Sequence, residues 1–210
     1  MANVYRYVIV TDAGTAPHVD GDLASLCICK PKIRSSAKKG DYVIAFLSTR
    51  FGLGSGNLSW IGKVDQKLLL GDYHIAFRQR ADAIYRRIGW SADGEELEHI
   101  GGDLHADRAN QQRDKRGKYA LTMRPFWYWG DGHAPLSLPA ELAHLVYGSA
   151  GHASATAPTD IPLLESWLLT QPPGKHGRYR SPSVSCILLP PHDPDPQSSG
   201  DKFLRRAGCG

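Results

Sequence analysis

The amino-acid sequence predicts an α+β fold, a small twisted or barrel-like mixed β-sheet with short flanking helices. Three observations carry the prediction. Two compact runs, Val4 to Thr11 (VYRYVIVT) and Tyr42 to Leu47 (YVIAFL), have the β-branched and aromatic composition of buried strands. Between them, residues 31–39 carry the punctuation of one short helix. The remaining chain continues as a mixed order of strands and short helices with no internal repeat, which argues for α+β.

The first strand ends at Asp12, Gly14 and Pro17, residues that favour a loop. Pro31 suits the first turn of a helix, Lys38 and Lys39 its last turn, and Gly40 the left-handed position that stops it. A further strand or hairpin arm is expected over Leu58 to Leu70, after the glycine-rich stretch 52–56. From Tyr73 to Arg87, Ile75, Ala76, Ala83 and Ile84 recur at roughly helical spacing. A second helix is expected there, with Arg78, Gln79, Arg80, Arg86 and Arg87 mostly solvated.

Ser91 to Lys118 is polar and turn-rich and reads as a long excursion. Tyr119 to Arg124 and Phe126 to Trp129 read as two strands split by Pro125. Helices near Pro139 to Val146 and Ile161 to Leu169 follow, with a last strand over Ser183 to Leu189.

A chain of 210 residues suits one domain, expected over 1–189. The Pro- and Gly-rich tail 190–210 (PPHDPDPQSSGD and beyond) has too few apolar residues to offset the entropy of ordering, so it is expected to be flexible. No apolar run approaches the roughly 18 residues of a membrane span and no signal region opens the chain, so no membrane partner and a cytoplasmic location are expected. The four cysteines show no framework spacing and are expected to be free thiols. A formal charge of +4 is compatible with a polyanionic partner.

Chemistry concentrates in Cys27 to Arg34 (CICKPKIR), which places two thiols, two lysines and an arginine within eight residues where a short helix begins. Such positions attract anions. Arg34 suits a planar bidentate contact, and Lys30 and Lys32 act as point charges. A solvated basic turn with two small buried thiols is the plainer alternative. A thiol beside Lys30 at a helix start has its thiolate favoured, so Cys29 is a candidate nucleophile, although its base and acid are not identifiable from the sequence.

The run Phe126-Trp127-Tyr128-Trp129 would alternate on a strand, with Trp127 and Trp129 on one face and Phe126 and Tyr128 on the other. One face can stack on a base; packing of both faces in the core is the alternative. His99, Asp103, His105 and Asp107 are close in sequence but fit no zinc-ligand spacing, so no metal is expected. Asp103 and His105 remain candidates for acid, base or hydrogen-bonding roles. Gly52, Gly54 and Gly56 match neither a phosphate loop nor a dinucleotide fingerprint, and no cofactor is expected.

In order, DAGTAP (12–17), LCICKPKIR (26–34), GDYVIAF (40–46) and FWYWG (126–130) resemble the nucleotide modification associated domain 2 family of bacteria and phages. The resemblance spans roughly the first 150 residues, and Cys-Lys-Pro-x-Ile-Arg followed by Gly-Asp is its most specific part. It implies a role in installing, reading or responding to modified bases, in DNA modification or phage defence, with Cys29, Lys30 and Arg34 on the family motif. The Gly-Asp lead into a strand also resembles the PUA, ASCH and EVE group of small barrels, whose pockets accept nucleobases. The segment HVDGDLASL, with His18, departs from the family pattern.

Two readings follow. In the first, the protein binds nucleic acid, DNA rather than RNA, or a nucleotide, and recognises a modified base through Asp12, Lys30, Lys32, Arg34, Trp127 and Trp129. In the second it is an enzyme on nucleotides or modified bases, a transferase, hydrolase or base-removing activity using Cys29 or Asp103 and His105. A protein partner meeting the aromatic block and basic face is a third possibility.

Overall fold

The structure is a computed structural model and describes residues 2–52, 56–130, 136–148 and 152–179. Seven strands form one mixed sheet: β1 (Val4–Ile9), β2 (His18–Asp20), β3 (Leu23–Leu26), β4 (Tyr42–Leu47), β5 (Leu58–Leu69), β8 (Tyr119–Tyr128) and β9 (His152–Ala153). Their order is β2-β3-β8-β5-β4-β1-β9, and a two-residue β10 (Gly174–Lys175) adds to β8. β1 and β4 are parallel, and the other main pairs are antiparallel. The end strands β2 and β9 do not pair with each other, so the fold is the expected α+β but its sheet stays open instead of closing into a barrel. β6 (Tyr85–Ser91) and β7 (Gly94–His99) form a separate hairpin.

Strand alternation sends side chains to two cores. On one face Tyr5, Tyr7, Val43, Ala45, Trp60, Met123, Phe126 and Tyr128 pack together, covered by Ile33 and Ala37. Ile33 lies in the short helix α1 (Pro31–Ser36). On the other face Tyr42, Ile44, Phe46, Ile61, Trp127 and Trp129 pack against Leu164 and Leu168 of α4 (Asp160–Leu168) and against Leu142 and Leu145. The latter pair lies in a 3-10 helix, Ala140–Leu145, where the sequence predicted a helix. A third cluster joins Cys27, Ile28, Tyr73, Ala83, Ile84 and Tyr85.

Several sequence expectations are corrected. The predicted helix from Tyr73 to Arg87 is α2 (Leu70–Ala76) followed by turns and by β6, because its apolar residues do not share a face: Ala83 and Ile84 are buried while Ile75 is 53% exposed. Arg80, expected in solvent, is buried and binds the carbonyls of His18, Asp20 and Leu23, beside Asp82. It thereby fixes the β2-β3 hairpin, which is formed by the HVDGDLASL segment.

The polar excursion 91–118 holds β7 and α3 (Arg108–Arg116). That helix has a mostly polar surface and so no apolar periodicity to reveal it. Its start is nevertheless signalled by Asp107, whose side chain accepts from Asn110 N at 2.9 Å as an N-cap.

Pro125 does not divide two strands. β8 runs through it with a register shift opposite Gly62 to Val64. On its other side β3 pairs only up to Met123 and β10 begins at Trp127. Pro125 therefore sits in the gap between two partners, where its missing N–H leaves no ladder bond unmade. The strand expected over 183–189 and the tail from 190 lie outside the described residues. Among the described residues no helix is long and apolar enough to cross a membrane.

Candidate active site

Cys29 leaves β3 three residues after Leu26 and immediately precedes Lys30 and Pro31. The proline disfavours the right-handed helical region at Lys30. Both Cys29 and Lys30 take left-handed backbone, with φ of 57° and 40°. Two consecutive side-chain-bearing residues in that region cost about 1–3 kcal/mol each and persist only where the surroundings impose them. The surroundings do so here. Cys29 N donates to Asp114 Oδ1 at 2.7 Å, and Cys29 O accepts from Arg34 Nε at 2.7 Å.

The thiol of Cys29 faces His105, with Sγ 3.6 Å from Nε2. His105 Nδ1 lies 2.5 Å from Asp114 Oδ2. A proton on Nδ1 satisfies that carboxylate and leaves Nε2 as an acceptor turned toward the thiol. Tyr85 Oη also donates to Asp114 Oδ2, at 3.0 Å. Burial, with the Asp114 carboxylate beside it, pushes the Tyr85 phenol far above its ordinary range, so it stays protonated as a donor. Cys29, His105 and Asp114 are all buried, at 4%, 7% and 0% exposure. They bring a thiol, an imidazole and a carboxylate within hydrogen-bonding reach of one another, the order in which a nucleophile, a base and an orienting acid are arranged in catalytic triads.

Arg34 belongs to this arrangement differently from the sequence expectation. It is fully buried, and beside the bond to Cys29 O its guanidinium donates to Asp114 O at 2.6 Å and Tyr119 O at 2.5 Å. Instead of facing a phosphate, Arg34 clamps the carbonyls of two members of the triad. Gly117 makes room for it, since a Cβ there would lie 2.5 Å from Arg34 Cζ.

The other expected site residues are dispersed. Trp127 and Trp129 are buried, each 6% exposed, on the face carrying α4; the predicted alternation with Phe126 and Tyr128 holds, but neither indole offers a stacking surface. Trp127 Nε1 donates to Gln171 O at 3.0 Å. Asp12 is buried and accepts from Tyr128 Oη at 2.6 Å. Asp103 is exposed, and the acid that meets His105 is Asp114. Lys32 is exposed, and half-buried Lys30 holds its Nζ 4.7 Å from the centroid of the Tyr7 ring. Cys27 is free and buried, and burial pushes its thiol well above the ordinary range.

The family model described as nucleotide modification associated domain 2 matches residues 1–81 and 77–186. The chain belongs to this nucleotide modification associated domain 2 family. No curated protein and no solved structure matches it. The matched span contains Cys29, His105 and Asp114, so the triad lies within the family region.

In this member of the family, the ligand-type atoms of Cys29, His105 and Asp114 all lie within 4.8 Å of one another, close enough to gather around a metal ion. The carboxylate is already engaged within the protein: Asp114 Oδ1 accepts from Cys29 N, and Oδ2 faces Tyr85 and His105. A metal there would have to share Asp114 with those hydrogen bonds.

Proposed function

We propose that the chain is a thiol-dependent enzyme of nucleotide or DNA-base modification, which transfers or hydrolyses a carbonyl-linked substituent on a base. The Cys29–His105–Asp114 relay carries this reading. His105 Nε2 takes the proton of the Cys29 thiol, and the thiolate adds to the carbonyl carbon while the C=O π pair moves to oxygen. When that pair returns, the bond to the leaving amine or alcohol breaks and His105 delivers the proton to the leaving group. Water or an acceptor amine, losing a proton to His105, then releases the group from sulfur as an acid or amide.

The reading as a non-catalytic reader of modified bases draws less support from the geometry, because Arg34, Trp127 and Trp129 are enclosed in the protein. DNA or free nucleotide remains the substrate class in keeping with the family. The test is turnover on nucleotides and oligonucleotides whose bases carry amide- or ester-linked groups, with acid-quenched samples weighed by mass spectrometry. An adduct on Cys29 and loss of turnover in Cys29→Ala are expected. Full turnover in Cys29→Ala would refute the proposal.

A further inference from the structure

Basic groups gather around Tyr7, at the turn that carries Cys29. β9 pairs His152 with Tyr7 across the edge of the sheet, so the two side chains share a face. Lys30, the chain neighbour of Cys29, holds its Nζ over that same Tyr7 ring. Half-burial pushes the His152 imidazole below its ordinary range, and the positive charges of Lys32 and Lys30 push it the same way. The register of β9 thus brings a third basic group toward two lysines that repel it, from a segment more than a hundred residues away in sequence.

We propose that Lys30, Lys32 and His152 form a seat for a phosphate group of the substrate, positioned beside the Cys29 thiol. The proposal rests on the reading of Cys29 as the nucleophile. A dianion between these groups exchanges mutual repulsion for attraction, with the lysines as point charges and the imidazole as a hydrogen-bond donor once protonated. The strand register and the Tyr7 ring hold His152 and Lys30 in place before a ligand arrives, and the exposed Lys32 is free to swing in. A phosphate so placed would leave the base and its substituent to reach the thiol.

Two alkylating probes separate this seat from the triad. In a chain with Cys186→Ser and Cys209→Ser, the rates at Cys29 are measured with neutral iodoacetamide and with anionic iodoacetate, and both are divided by the same rates for glutathione. The seat predicts an iodoacetate-to-iodoacetamide ratio at least about ten-fold above that of glutathione, as expected where a basic surface concentrates anions. Inorganic phosphate should lower it. Lys30→Asn, which keeps a residue tolerant of left-handed backbone, and the double variant Lys32→Ala/His152→Gln should return the ratio toward that of glutathione.

Taking the ratio cancels any change in the thiol itself. A ratio equal to that of glutathione and indifferent to phosphate would overturn the seat, and a raised ratio untouched by either variant would overturn its assignment to these residues. Failure of the triad reads out elsewhere, as a slow iodoacetamide reaction in the parent chain.

Discussion

Replacing His105 by alanine is expected to slow alkylation of Cys29 at pH 7 by about 30-fold or more. An unassisted thiol is only a few per cent thiolate at neutral pH, and His105 Nε2, 3.6 Å from Sγ, is the group placed to accept its proton. Turnover should fall further, by about 10²–10⁴-fold, because the same imidazole must also return the proton to the leaving group. Peptide mapping after brief iodoacetamide treatment separates Cys29 from Cys27, whose thiol burial holds protonated. An unchanged rate at Cys29 in His105→Ala would remove the base from the mechanism.

Arg34→Met should destabilise the protein by on the order of 3 kcal/mol, since it deprives three carbonyls of a charged donor. For a chain of this size that is a fall in Tm of roughly 6–12 °C. The carbonyls belong to Cys29, Asp114 and Tyr119, from three separate parts of the chain. The loss should therefore extend to the site: with Cys29 O released, the turn of two consecutive left-handed residues loses one of its anchors, and Cys29 should lose reactivity even well below the new Tm. Arg34→Lys keeps the charge but not the planar fork, so it should fall between parent and Arg34→Met in both measurements. A stable Arg34→Met chain with full Cys29 reactivity would show that the clamp does not position the nucleophile.

The sheet face of the fold was legible where strands are buried on both sides. β1, β4 and β5 stand where their β-branched and aromatic runs predicted, because continuous apolar runs have few other solutions. The β6-β7 hairpin was not legible, since Ile88 and Trp90 are exposed and most of its other residues are charged or polar. Local cues likewise isolated Cys29, but its partners lie 76 and 85 residues away, in a segment whose polarity reads as loop. His105 was a candidate and Asp114 was not, because an aspartate among arginines and lysines on a polar helix looks solvated until β6 and the Cys29 turn close over it. Arg34 misled for the same reason: an arginine ordinarily stays at the surface, and only three convergent carbonyls make its full burial stable.

Whether Cys29 is a nucleophile or an inert buried thiol is decided most directly by its iodoacetamide rate at pH 7, compared with glutathione, in the chain carrying Cys186→Ser and Cys209→Ser. The triad predicts a rate about ten-fold or more above that of glutathione despite the burial of Cys29, and lost in His105→Ala. A rate at or below that of glutathione, and the same in His105→Ala, would contradict it.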